Sequence, residues 1–442
     1  MTTQPHDPLP EADARRLVEA ALQILRDTGV KFDPDRRVMD LFSAAGCEVS
    51  ADGMVRFDSR LVLDSIETVA KRVRIWDRAG NGFLDVGGGR TYFFAGMTAI
   101  QVLDPTTGER RRSTRDDLAA ITRVADALPD IDGVCVTCKI VEHSNIQGDM
   151  EEFAVLAANT TKPLEFLSES DEAFAAAIEM AAAIRGGADR LAEKPYFIHQ
   201  VTPLPLYFAK EHIDQIVRGV ESGIPLLVGT VTMGGATAPI SMAGNLAVGL
   251  ATDFAAMVLS QLVRRGSYCV GCSDIGYIDP ATGGIGGLAQ RYLSDMVMCQ
   301  IRRLLGLPTT CGAGAARHRA FNQVSVAQAS LSMMQAFYKQ PATCDYLGLL
   351  DNSLSYSPHL LLFDHDLIGL LRHLWNGVRV DDETLALDVI RAVGPRGNFL
   401  VQRHTAKHCR SELWTSRYLM PQRGASRADV PEPDLIDRID QD

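Results

Sequence analysis

Nowhere in the 442 residues does an apolar run stay uninterrupted for the roughly 18 positions a membrane helix needs, so no segment reads as membrane-spanning. The opening MTTQPHDPLPEADARR also lacks the apolar core of a secretory signal, and the chain is expected to be cytoplasmic. Cysteine is sparse: nine residues, an odd number spread over the whole length, make no disulfide framework and fit reduced thiols. Positive charge is short as well, with 44 Lys and Arg against 55 Asp and Glu, so the net charge of −11 repels a nucleic-acid backbone and leaves a small molecule or another protein as partner. There is no G-x-S-x-G elbow, no H-E-x-x-H and no dinucleotide fingerprint, which argues against serine hydrolases, zinc proteases and nicotinamide oxidoreductases.

What is present is an ordinary globular composition, 46% hydrophobic and 22% charged, on a chain long enough for a large core. Residues 1–112 read as an N-terminal unit. Apolar spacing in ARRLVEAALQILRDTGV and RRVMDLFSAAG predicts a helical cap over the first 75 residues. The glycine-separated pieces VRIWD, GFLDV, RTYFFAG and AIQVLD then predict a small antiparallel sheet. Residues 113–442 alternate long helical stretches with short apolar runs. Eight such runs occur: DGVCVT, PLEFL, PYFIHQ, PLLVGT, SYCVG, PTTCGAG, TCDYLG and NFLVQ (398–402). Strict alternation implies parallel strands with right-handed crossovers, and eight units imply an α/β fold of the closed (β/α)8 TIM-barrel type with C-terminal helices.

In such a barrel the chemistry sits on the loops after the strands. Polar residues there include Glu142, Glu165, His199, Gln200, Asp274, Arg317, His318 and His404. Two Cys-x-x-Cys pairs, 135/138 and 269/272, raise zinc as a possibility. On an extended strand, however, residues three apart face opposite ways, so small buried thiols are the simpler reading and no metal is expected. GGG (87–89) and GGIGG (283–287) lack the Lys-Ser/Thr context of a phosphate loop, and the second reads as a loop at the barrel mouth. Paired acids such as Glu142 and Glu165 would suit proton transfer. Aromatics gather at the same level, and an aromatic box attracts a quaternary ammonium through its ring faces.

The C-terminal stretch GNFLVQRHTAKHCRSELW (397–414) resembles the signature of the trimethylamine methyltransferase family. So do GIPLLVGTVTMGGATAPISMAGNLAVGLATDFAAMVLSQLVRRG (223–266), residues 103–134 and residues 347–399, and the likeness runs over about residues 12 to 420. The resemblance implies a (β/α)8 barrel that takes a methyl group from a methylated amine and passes it to the cobalt of a separate corrinoid protein. No pyrrolysine is encoded, so the chain resembles the branch whose substrates are quaternary amines such as glycine betaine. A quaternary nitrogen is already a good leaving group, and positioning with desolvation suffices for its displacement. Departures from the family lie at Arg317, His318 and Arg319, where members carry an acidic turn, and at Asp253 and His359, where members often have glutamate.

On this reading Phe94, Tyr277, Tyr346 and Tyr356 are expected to form the onium box. His199, Gln200, Arg317 and His318 would hold a substrate carboxylate, and His404 would shape the site. Direct transfer to tetrahydrofolate is the alternative acceptor, with Glu142, Glu165 or Asp274 holding the pterin. A non-catalytic onium-binding protein is the alternative of another class. A homo-oligomer is expected from apolar helices such as LSMMQAFY.

Overall fold

The computed structural model describes residues 5–143, 145–420 and 434–441. Eight short parallel strands form its centre: β1 (Tyr92–Ala95), β2 (Gly133–Cys135), β3 (Leu164–Leu167), β4 (Phe197–Val201), β5 (Leu226–Val228), β6 (Cys269–Gly271), β7 (Thr310–Gly312) and β8 (Thr343–Leu347). Their order around the sheet is β7-β8-β1-β2-β3-β4-β5-β6, with every neighbouring pair parallel. That is the expected TIM-type barrel, closed except where β6 faces β7.

Two expectations about the strands need correction. RTYFFAG does not join the antiparallel sheet, since Tyr92–Ala95 is β1 and pairs with β2 and β8. All four of its residues are buried. Phe93 faces outward towards Trp375, and Phe94 turns inward over Gly133, a two-sided burial that only a barrel strand requires. NFLVQ, in turn, is no strand; it forms turns leading into the helix Arg403–Glu412. The barrel therefore begins before residue 113, and a division at 112/113 separates β1 from its sheet.

The N-terminal cap is mixed rather than helical throughout. Helices Glu11–Gln23, Arg36–Ala44 and Ser59–Thr68 accompany a small sheet of the strands Val30–Phe32, Met54–Arg56 and Glu48–Val49, in which Val30–Phe32 also pairs with Tyr207–Phe208 from the loop after β4. Val73–Trp76 and Phe83–Val86 do make the antiparallel pair expected of them.

Local chemistry sets the crossover helices. Thr114 and Asp117 cap Arg115–Ala127 reciprocally, Ser170 caps Asp171–Arg185, and Ser357 with Pro358 starts Pro358–Asn376. The 22-residue helix Met242–Val263 is long and apolar enough to cross a membrane by composition, with a mean hydropathy of 1.7 in its most apolar window. Of that window 89% is buried inside the protein, where the helix packs against β6, Glu11–Gln23 and Ser59–Thr68 as a core element.

At the open seam a side chain replaces the missing ladder. Arg302, 3% exposed, reaches Thr310 O on β7 (3.5 Å), Ser273 O just past β6 (3.4 Å) and Asp253 Oδ2 on the long helix (2.8 Å). Asp253 also accepts from the Ser273 backbone N–H at 3.2 Å and from its hydroxyl. Gly271 leaves room for this arrangement, because a Cβ there would come within 2.2 Å of the Asp253 carboxylate. Burial alone disfavours the Arg302 charge, but Asp253 outweighs it and holds the guanidinium above its usual range.

Candidate active site

A cavity of about 320 Å³ opens at the C-terminal ends of β6, β7 and β8, where a barrel places its chemistry. Its polar walls are Asp274 after β6, Arg291 and Asp295 on the helix Leu288–Leu304, Arg317 after β7 and Tyr346 on β8. Val231, Met233, Ile285 and Leu288 supply apolar surface, and Gly312 and Ala313 keep the β7 wall low.

A chain of contacts fixes one side. Asp274 accepts from Arg291 Nη2 at 2.6 Å and from the Tyr346 hydroxyl at 3.0 Å. Arg291 Nε also lies 3.1 Å from Asp295 Oδ1, and Lys339, only 1% exposed, stands 3.9 Å from Asp295 Oδ2. Burial works against the charge on Arg291, yet Asp274 and Asp295 together hold it well above the ordinary arginine value. Burial, and next the Asp274 charge, keep the Tyr346 phenol protonated far beyond its normal range.

Tyr346 owes its position to the backbone. The pairing of β8 with β1 shifts register between Cys344 and Leu347, and Tyr346 adopts φ +76° inside that irregularity. The bulge re-aims the side chain into the mouth, where its ring lies over Gly312; a Cβ on Gly312 would come within 2.3 Å of it. Asp351, Asn352 and Ser353 follow with φ of 52°, 52° and 70°. That left-handed turn is pinned by Asp351 to Arg110 and, at 3.3 Å, to Arg319, and it presents Asn352 and Ser353 to the cavity.

Arg317 differs from the other charges. Its Nη1 donates to the Gly286 carbonyl at 2.8 Å, and among the described residues no carboxylate lies within ion-pair distance of it. Burial, and next the charge of Arg291, lower its pKa, the signature of a guanidinium whose charge is not balanced. Of the charged side chains that line the cavity, Arg291 takes both carboxylates, Asp274 and Asp295, and Arg317 is left without an ion-pair partner among the described residues.

The expected site residues separate accordingly. Arg317, Tyr346 and Asp274 line the cavity together. Phe94 fills the barrel interior against Gly133; Tyr277 is buried with its hydroxyl 3.2 Å from Ser294; Tyr356 is buried against Gly348. The four-ring box therefore reduces, at this cavity, to Tyr346. His199 points out of the barrel and stacks on Phe174 with ring centroids 3.7 Å apart, and burial pushes its pKa down to about 3. It is a neutral core histidine, not a carboxylate ligand. Gln200, its neighbour, takes the opposite face in register with Leu167 and Leu227, outside the cavity lining. His318 sits beside the rim with its ring nitrogen at the Ala320 N–H. His404 lies in the C-terminal segment, its Nε2 3.1 Å from the Glu383 carbonyl, away from the cavity.

The three acids assigned to a pterin are not brought together either. Glu142 is exposed in the turn after β2, Asp274 is held by Arg291 and Tyr346, and Glu165 is buried on β3 with the Cys135 thiol 3.5 Å away. Burial lifts Glu165 to about 7 and holds Asp345 well above the carboxylate range. No group of three or more metal-ligating side chains occurs among the described residues. Arg291, Tyr292 and Asp295 went unnoticed in the sequence, where the Arg/Asp spacing of four at the start of a helix behind GGIGG was the one available sign of the two charged residues.

The family model for trimethylamine methyltransferase (MTTB) matches residues 1–420. Trimethylamine methyltransferase MttB of Desulfitobacterium hafniense is 28% identical over 401 residues, covering 89% of this chain and 80% of that protein. Glycine betaine methyltransferase of the same species is 24% identical over 420 residues, covering 92% and 85%. Among solved structures, the Methanosarcina barkeri monomethylamine methyltransferase MtmB superposes with a TM-score of 0.51 at 12% identity, covering 90% of both chains, which shows a shared fold. A barrel of this architecture, matched along nearly its whole length, belongs to the trimethylamine methyltransferase family, and this chain is a methyltransferase.

Proposed function

We propose that this enzyme demethylates a small onium zwitterion of the betaine type and delivers the methyl group to a corrinoid carried by a separate protein. The observation that carries the reading is the unbalanced Arg317 guanidinium facing the same cavity as the Tyr346 ring. Arg317 offers N–H donors to a carboxylate, and the π face of Tyr346 offers an onium group a surface that needs no hydrogen bond. Because the Tyr346 hydroxyl is committed to Asp274, the ring is held in one orientation. A trimethylated cation without an anionic group would leave Arg317 without a partner, so a zwitterion fits this cavity better than trimethylamine. The similarity to a glycine betaine methyltransferase agrees with this assignment.

A corrinoid in its Co(I) state supplies, when bound, a nucleophile able to take a methyl group as CH3⁺ from an onium. The chain's own residues then orient the substrate, exclude water and leave one N-methyl directed to the mouth; the substrate departs as the neutral amine, and no general base is required on it. Support for a protein-borne acceptor comes from the rim. Ile100, Leu204, Val231, Ile240, Ile285 and Leu354 all lie on connections that follow barrel strands and are 45–58% exposed, and Val231 and Ile285 also line the cavity, apolar surface of the kind a docking partner covers. The scattered positions of Glu142, Glu165 and Asp274 give a pterin no pocket.

The test is single-turnover mass spectrometry with glycine betaine and other methylated onium compounds, each incubated with Co(I) cobalamin. Methylcobalamin with loss of one substrate methyl supports the assignment. Turnover of trimethylamine but of no zwitterion overturns it.

A further inference from the structure

We infer that residues 376–415 form an interface permanently covered by a second copy of this chain. The segment lies between two anchors. Trp375, 5% exposed, stacks between Phe93 and Phe337, with ring centroids 6.1 Å from each. After the segment the chain returns at Ser416, whose hydroxyl bonds Asp366, while the Arg417 N–H donates to the same carboxylate at 2.9 Å. Between these points not one residue is buried. The helices Asp382–Leu385, Leu387–Val393 and Arg403–Glu412 have no buried residue among them.

The segment nevertheless holds a defined shape through polar contacts. Glu383 gathers Lys407 and Arg379 on its carboxylate and His404 on its carbonyl. Its apolar side chains meanwhile face outward: Val378 (87%), Leu400 (79%), Val401 (76%) and Val380 (71%) are the most open, and Leu385, Leu387, Ile390, Phe399 and Leu413 are 43–65% exposed. Helices shorter than about 12 residues are marginal in water without an apolar face to bury. Three such helices with no core of their own require cover at all times, which a subunit provides and a visiting partner does not.

Charge selects the second copy. Six basic residues (Arg379, Arg391, Arg396, Arg403, Lys407, Arg410) stand among five acidic ones (Asp381, Asp382, Glu383, Asp388, Glu412), so the face is close to neutral on a chain of net charge −11. Two copies repel each other elsewhere and can meet here. A two-fold contact must also be complementary to itself, which interspersed charges around apolar groups allow and a one-sign face does not. The size suffices, since the segment's 40 residues exceed the about 20–30 that a standard interface takes from each side.

Sedimentation velocity and hydrogen exchange on the wild type and on the double variant Val380→Asp/Leu400→Asp test this. At ~10 μM the wild type is expected to sediment as a dimer or larger assembly, with the amides of 376–415 protected and that protection lost on dilution. The double variant should sediment at about half that mass or less. Its segment should exchange rapidly at every concentration, while the barrel strands keep wild-type protection and so report an intact fold. A monomeric wild type whose segment exchanges slowly overturns the inference. So does an assembly that survives the double variant, or protection that arises only when a corrinoid protein is added.

Discussion

Arg317 and Glu165 show how far a single side chain's surroundings decide its chemistry. Arg317 has no carboxylate neighbour of its own, so its charge is available to a ligand. Replacing it by glutamine removes a charge-assisted contact worth about 1.5–3 kcal/mol and should raise the dissociation constant for glycine betaine about ten- to hundredfold. Binding of tetramethylammonium, which has no carboxylate, should stay within about twofold; calorimetry on the pair checks the split. Glu165 is raised by burial from its ordinary 4.5 to about 7. Between those values the folded chain keeps a proton that the unfolded chain releases, so stability falls as pH rises through the window, by up to about 3 kcal/mol, and is flat above it. Glu152 is lifted by burial to about 7 as well, so in Glu165→Gln this slope should shrink, not vanish, in a series of thermal melts between pH 5 and 8. A wild-type slope that persists undiminished in the variant would assign the titration to another group. Such properties are only half legible in a sequence. His199 and Gln200 are adjacent polar residues on one strand, and nothing in their order says which faces inward; one step of register moves a residue from the barrel interior to the helix layer.

Among the elements, the alternation of strand and helix was readable because each parallel crossover needs a helix long enough to return the chain. Seven of the eight barrel strands announced themselves that way. β1 did not, because a hairpin and a glycine run precede it rather than a helix. NFLVQ imitated a strand by apolarity alone, yet Leu400 and Val401 are among the most exposed residues of the chain. The seam was invisible for another reason: Arg302, Asp253 and Ser273 are far apart in sequence and meet only in the closed barrel. Arg302→Met should cost about 3–5 kcal/mol, because it leaves the Asp253 carboxylate buried without its partner. Asp253→Asn in the same background should recover part of that loss by removing the stranded charge. Chemical denaturation of the single and double variants measures both, and equal stability of Arg302→Met and wild type would remove the arginine from the seam's support.

For the whole molecule, the C-terminal ends of the strands gather both the charged cavity and exposed apolar side chains on one face, the end of the barrel to which the sequence pattern directs the search for a site. Ile240→Glu places a charge on that exposed apolar surface, outside the cavity lining. It is expected to slow methyl transfer to a corrinoid protein at least about tenfold while leaving transfer to free cobalamin within about twofold, because only the former needs the rim as a docking surface. Equal losses with both acceptors would instead make Ile240 part of the substrate wall. The cavity also has an unusual relation to the break in the sheet. Asp274 and Gly276 continue from β6, and Gly312 and Ala313 belong to β7 and its end, so the cavity straddles the gap between the two strands. The gape of the pocket is consequently set by the length and hydration of an arginine strut, not by the rigid spacing of a peptide ladder. A barrel jointed in this way can widen or narrow its mouth through a few side-chain exchanges, with the rest of its staves untouched.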